Sequence, residues 1–269
     1  MHRIHKMSNS LFLITTKESS SVQYLFKIHL LFDLSQMDQI NSIFQLVAEK
    51  HFSPLIIPDK KGLYISFYYN YAFSLQIFME GNSISLENKD LFAKRLAELH
   101  KFLNTCSDIS VNNHFDRTVT DMNQYALFYG YEKLIPILDK VMTIKKNTPE
   151  QLIHGDLHAN NIICCNNNIF FIDFDSMTFF LTIADVAFAG FRCYGMNKKR
   201  LYEFIHTYNQ YNPPCPVNKA YIWHFLVYII LQRILFIHIE NDKGNQLWIT
   251  DLENQKNYLS IVLRQLNYE

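Results

Sequence analysis

The alternation of apolar and polar residues changes character near residue 80 of this chain. Residues 10–32 hold two β-branched and aromatic runs joined by the polar KESSS, a hairpin signal. In LSQMDQINSIFQLVAEKHF the apolar positions Met37, Ile40, Ile43, Phe44 and Val47 fall on one face of a helix. Residues 54–81 return to extended runs around a turn at 59–62, and YYNYAF (68–73) reads as a strand packed on one face. From about Ser83 the pattern is mainly helical: NKDLFAKRLAELHKFLN, DMNQYALFYGYEKLIPILDKVMTI and several helices after Asp185. One segment breaks this half. In residues 152–175, LIHGDLHANNIICCNNNIFFIDFD, the runs NIICC and IFFIDFD flank NNN, and asparagine tolerates the left-handed angles of a tight turn. This predicts an α+β chain: a small strand-rich lobe at 1–80 and a larger helical lobe at 81–269, with a polar hairpin lodged in the second.

Composition narrows the classes. The chain has 269 residues, 49% of them apolar, enough for a sizeable core. Its 25 basic residues balance 25 acidic ones, so no overall field draws it to nucleic acid or an anionic membrane. Five cysteines without CxxC spacing suggest neither a disulfide framework nor a zinc site and fit a reducing cytoplasm. The N-terminal stretch lacks the apolar run of a signal peptide. Residues 221–240 are apolar enough to span a bilayer, but His224, Gln232, Arg233 and His238 interrupt them, so a buried helix is expected. Cys164 and Cys165 point to opposite faces of a strand. His154 and His158 have metal-like spacing, but Gly155 between them argues against a helix and against zinc.

The hairpin carries the chemistry. Asp156 is followed five residues later by Asn161, and twelve residues after that Asp173 ends an apolar strand. Two oxygen ligands with a further carboxylate nearby suit Mg²⁺, which shares its shell with water and substrate phosphates. The spare carboxylate can take a proton from an attacking hydroxyl, and the set matches the equipment of phosphoryl transfer from ATP. Asp175 reads equally as a second carboxylate near the metal or as a polar strand end.

HGDLHANN followed by FIDFD resembles the catalytic segment of the aminoglycoside phosphotransferase and choline kinase superfamily, HGDxxxxN and a strand ending in I-D-F/W-D/E. The resemblance implies a protein-kinase-like two-lobed fold and an ATP- and Mg²⁺-dependent kinase acting on a hydroxyl of a small molecule such as an amino alcohol or aminosugar. It makes Asp156 the catalytic base, Asn161 and Asp173 the metal ligands, and His154 a brace for the loop. YLFKIHL resembles the strand whose lysine holds the donor phosphates, here Lys27. MSNSLFLI resembles the nucleotide loop, with Asn9 matching and Ser8 and Ser10 as phosphate donors. SLQIFMEG resembles the hinge, where the backbone of Phe78 and Met79 would hold adenine. RLAELHKF and TIADVAF resemble two further elements, with Asp185 anchoring the helical lobe. The segment before the hinge is most similar to the spore-coat CotS-like and homoserine-kinase-like branch.

Three departures stand against this likeness. So few residues precede Ser8 that the first strand of the small lobe reads as missing or shortened. The acid that normally pairs with the lysine is replaced in the first helix by Gln39, with Asp38 one residue out of phase. No glycine-rich loop covers the phosphates. These features leave two alternatives beside the small-molecule kinase: a non-catalytic pseudokinase with a structural role such as a coat component, and a protein or peptide kinase.

Overall fold

The computed structural model describes residues 3–266 except 8–9, 17–21, 30–36, 70, 86, 107–110, 112–113 and 195–196. Strands β1 (Arg3–Lys6), β2 (Leu11–Thr15) and β3 (Gln23–His29) lead into helix α1 (Met37–Glu49). Strands β4 (Ile56–Ile57), β5 (Ser66–Tyr68) and β6 (Tyr71–Ile77) follow. Together they make one antiparallel sheet in the order β1-β2-β3-β6-β4, with β5 on the other part of β6. The first strand is therefore present, four residues long and paired with β2 from Arg3↔Thr15 to Lys6↔Phe12. The expectation of a missing strand is corrected.

Side chains alternate across a strand, and in β3 this puts Leu25, Lys27 and His29 on one face with Phe26 on the other. Phe26 lies between Phe12 and Phe73, ring centroids 6.2 and 5.5 Å away, so that face is an aromatic ladder across three strands. The Lys27 face turns towards the helical half. Helix α1 packs Ile43, Phe44 and Val47 into the core, as its spacing predicts.

The helical part begins with α2 (Lys89–Asn104), α3 (His114–Thr118), α4 (Met122–Phe128) and α5 (Ile135–Lys146). Helices α4 and α5, one continuous helical pattern in the sequence, are divided by Gly130, at φ +81°, and by Pro136 in the first turn of α5. Next come β7 (Gln151–Ile153), β8 (Ile162–Cys165), β9 (Asn168–Phe171) and β10 (Thr178–Phe180). β8 and β9 form the expected hairpin, and Asn166 and Asn167 at its turn have φ of 49° and 56°. The antiparallel pair β7–β10 was not expected. Helices α6 (Thr182–Tyr194), α7 (Lys198–Tyr211), α8 (Ile222–Asp242) and α9 (Leu252–Leu266) complete the chain.

The segment 78–88 joins the sheet to α2, and the proposed lobe boundary at 80/81 falls within it. Asn82 pairs with Cys164 through both backbone bonds, at 3.0 and 2.9 Å. A Cβ on Gly81 would lie 2.8 Å from the Cys164 carbonyl, so only glycine lets the connection lie this close to the hairpin. α8 is long and apolar enough to cross a membrane, yet it is mostly buried inside the protein, against α5, α6 and α9.

Candidate active site

The loop between β7 and β8 is held from below by one carboxylate. Asp185, 2% exposed in the first turn of α6, accepts from His154 N at 2.7 Å, Gly155 N at 2.8 Å and His100 Nε2 at 3.2 Å. A buried acid is tolerable only with such partners. His100 in turn meets the Tyr208 hydroxyl at 2.7 Å, which ties α2 and α7 to the loop. Gly155 has φ +81°, a conformation that side chains disfavour. His154 packs tilted against Phe174, centroids 4.6 Å apart and planes at 43°, and its Nε2–H donates to Ile172 O at 3.0 Å. The ring therefore braces the Asp156 loop against the strand that leads to Asp173.

Asp156 emerges from this loop. Asn161 donates its amide N–H to the Asp156 carbonyl at 2.8 Å, which leaves the Asn161 amide oxygen as an available ligand. The Asp156 carboxylate is met by Arg233 Nη2 at 2.8 Å, and the same nitrogen lies 3.2 Å from Gly155 O. Burial would raise the Asp156 carboxyl, but the Arg233 guanidinium, His158 and His154 outweigh it and hold it below the ordinary aspartate value. The group is thus an ionised, oriented acceptor at neutral pH. In the sequence Arg233 stands out only as a charge within an apolar run. Its place opposite Asp156 gives the apolar helix a polar interruption with a purpose.

Asp173 follows β9 in the left-handed region, φ 67° and ψ 56°, which is uncommon for a residue with a side chain and typical of strained functional positions. Its Oδ1 lies 2.5 Å from Lys27 Nζ. Asp175, 7% exposed, lies 3.1 Å from the same nitrogen and 2.8 Å from His29 Nδ1, and His29 Nε2 meets the Ser74 hydroxyl at 2.9 Å. Burial alone would depress the Lys27 ammonium; Asp175 and Asp173 reverse this and raise it above the ordinary lysine value. The acidic partners of Lys27 therefore come from the IDFD end of the hairpin, residues 172–175. Asp38 and Gln39 lie in α1, with side chains outside the described residues. Asp175 is buried beside Lys27 and His29 rather than exposed at a strand end. His29 was missed, although it stands two residues beyond Lys27 on the same strand face.

Two cavities meet here. One, of about 280 Å³, is roofed by the sheet through Leu25, Lys27, His29 and Gln76, with Asn161 and Asp173 on its other side. Ser10 lines it too, whereas Ser8 and Asn9 lie outside the described residues. Phe78 and Met79 follow β6 without lining it, and the Phe78 N–H is spent on Gln23 O at 2.9 Å. The second, of about 300 Å³, is lined by Asp156, His158, Arg192, Arg233, Trp248 and Gln255, among others. Among the described residues, Asp173 is common to both. No three His, Cys, Asp or Glu side chains gather into a metal group among the described residues. Asn161 and Asp173 instead offer two oxygen donors at the first cavity, the kind of set with which Mg²⁺ binds beside phosphates.

Comparison with solved structures finds the same fold in several small-molecule kinases. The choline kinase LicA from Streptococcus pneumoniae superposes with a TM-score of 0.66 at 11% identity, covering 95% of this chain and 91% of that one. Spectinomycin phosphotransferase APH(9)-Ia, solved with ADP and spectinomycin, gives 0.65 at 13% identity over 97% and 92%. An ethanolamine kinase from Plasmodium vivax gives 0.63 at 18% over 97% and 82%. The spore-coat branch receives no support from these neighbours. A search of curated protein sequences gave no significant match. Residues 3–212, which include every residue lining the first cavity, match the model of the phosphotransferase enzyme family (APH), and the chain belongs to that family.

Proposed function

We propose that this phosphotransferase moves the γ-phosphoryl group of ATP to a hydroxyl of a small molecule, with Mg²⁺ as the required ion. The carrying observation is that Asp173 lines both cavities, so a donor beside Lys27 and an acceptor beside Asp156 would share one edge. Asn161 and Asp173 would hold the metal, which when bound with ATP neutralises charge on the phosphates as the γ-phosphoryl group passes to the acceptor and ADP is left. Lys27 would hold donor phosphates with the ammonium N–H that Asp173 and Asp175 leave unused. Asp156 would orient the acceptor hydroxyl and take its proton. With its pKa lowered, Asp156 acts mainly by position, and position supplies much of the catalysis in this chemistry.

The features that favoured a pseudokinase have lost force, since β1 is present and Lys27 has two acidic partners. A 300 Å³ cavity walled by Phe115, Phe236 and Trp248 suits a small molecule better than an extended polypeptide. The neighbours named above make amino alcohols and aminosugars the first acceptors to try. The five free cysteines support a reducing, cytoplasmic setting. The test is acceptor-dependent ADP formation by the wild type and by Asp156→Asn. The variant is expected to lose about a hundredfold or more in kcat while still binding nucleotide. Full activity in Asp156→Asn would contradict the assigned mechanism.

A further inference from the structure

The second cavity contains two arginines with different partners. Arg233 packs on Phe188 and Phe115, 4.6 and 5.2 Å from the ring centroids, and spends its N–H groups on Asp156 and the Gly155 carbonyl. Arg192 packs on the other side of the cavity wall against Tyr258 at 4.7 Å and Phe188 at 5.4 Å. Among the described residues it meets no carboxylate and donates to no carbonyl. Two aromatic faces fix the guanidinium plane and leave its fork of N–H donors unspent.

Two of the three acids that line the cavity are ion-paired, and the third is hydrogen-bonded elsewhere. Asp156 is paired with Arg233 and Asp173 with Lys27. Asp251 accepts Gln255 Nε2 at 2.7 Å immediately before α9, where a helix N-terminus favours an anion. Arg192 is therefore a half-buried cation without a counter-charge. Burial lowers the neighbouring His158 imidazole; Asp156 and Asp173 pull it up, and Arg192 and Arg233 push it down, so the Arg192 charge is felt inside the cavity. Gln255 adds a second signal: it is 1% exposed, lines the same cavity, and its Oε1 has no partner. A buried acceptor left unpaired is costly unless a ligand supplies the donor.

We infer that the acceptor is a small hydroxylated anion: its carboxylate or phosphate group sits on the Arg192 fork, and a second O–H or N–H donates to Gln255 Oε1. This rests on the reading of this cavity as the acceptor site, and it departs from the amino alcohols that the structural neighbours suggest.

A matched three-carbon series tests it without requiring turnover: glycerol, 3-amino-1,2-propanediol, glycerate and glycerol 3-phosphate. Binding is read from the fluorescence of Trp248, which lines the cavity, with Trp248→Phe as the signal control. One of the two anions is expected to bind at least about tenfold more tightly than glycerol or the amine. That preference should vanish in Arg192→Gln and survive in part in Arg192→Lys. Which anion binds better distinguishes carboxylate from phosphate. Tighter binding of the amine, a preference unchanged in Arg192→Gln, or no saturable response to either anion up to about 10 mM would overturn the inference. Phosphorylation of the amine with no anion binding would leave the kinase reading standing and remove only this one.

Discussion

Arg233, in the middle of the most apolar helix of the chain, donates from Nη2 to Asp156 Oδ1 at 2.8 Å. Both side chains are mostly shielded, 12% and 19% exposed, so the pair is more than a surface contact. Arg233→Leu leaves a carboxylate without its counter-charge and frees the Gly155 carbonyl. Loss of one partner from such a pair costs about 3 kcal/mol. A matching fall in unfolding free energy is expected by urea titration, with kcat reduced at temperatures where the variant is still folded. An unchanged denaturation midpoint and rate would show that the contact carries neither role.

Lys27 and Asp175 belong to different lobes and should be energetically coupled. Lys27→Met leaves two carboxylates facing each other, whereas Lys27→Met with Asp175→Asn removes one of them. A double-mutant cycle on thermal stability is expected to give a coupling of about 1–3 kcal/mol. Additive effects would mean that the contact is incidental to the joining of the lobes.

Asp185 fixes the loop that presents Asp156. Asp185→Ala leaves two backbone N–H groups and the His100 ring without an acceptor in a buried site. A loss of about 3–5 kcal/mol is expected, read as a fall in melting temperature. Asp185→Asn keeps one acceptor oxygen and should lose less. Equal losses in the two variants would contradict the anchoring role.

His238 provides a pH test away from the cleft. It lies 4.8 Å from Tyr129, stacked, and burial first, then Lys256, lower its pKa against the pull of Asp242. A histidine with a lowered folded value takes up its proton more readily when unfolded. Its contribution to stability is therefore full above the unfolded value of about 6.5 and is lost as pH falls through the lower folded value. Melting temperature should decline on acidification below about pH 6.5, and His238→Phe should flatten part of that decline. An unaltered slope in the variant would assign the pH dependence elsewhere.

Much of the site was legible because it is local. Asp156, Asn161 and Asp173 lie within eighteen residues, and the Asn-Asn turn announces the hairpin that brings them together. Lys27 was legible through resemblance. The partners of these residues were not, because they come from far along the chain. Arg233 is 77 residues from Asp156, and His29 is 146 from Asp175, so no local spacing joins them. In the fold, β7 and β10 escaped notice because strands of three residues, buried on nearly every side, show no alternation. β1 was hidden for a related reason: Arg3–Lys6 is polar and its pairing with β2 is set by the sheet.

The central claim is that Asn161 and Asp173 hold a metal-bound nucleotide beside Lys27. Calorimetric titration of ATP into the protein, with and without Mg²⁺ and again in Asp173→Ala, tests it most directly. The account requires saturable binding that depends on Mg²⁺ and is weakened at least about tenfold in the variant. Binding that is indifferent to both Mg²⁺ and Asp173, or no binding at all, would contradict it.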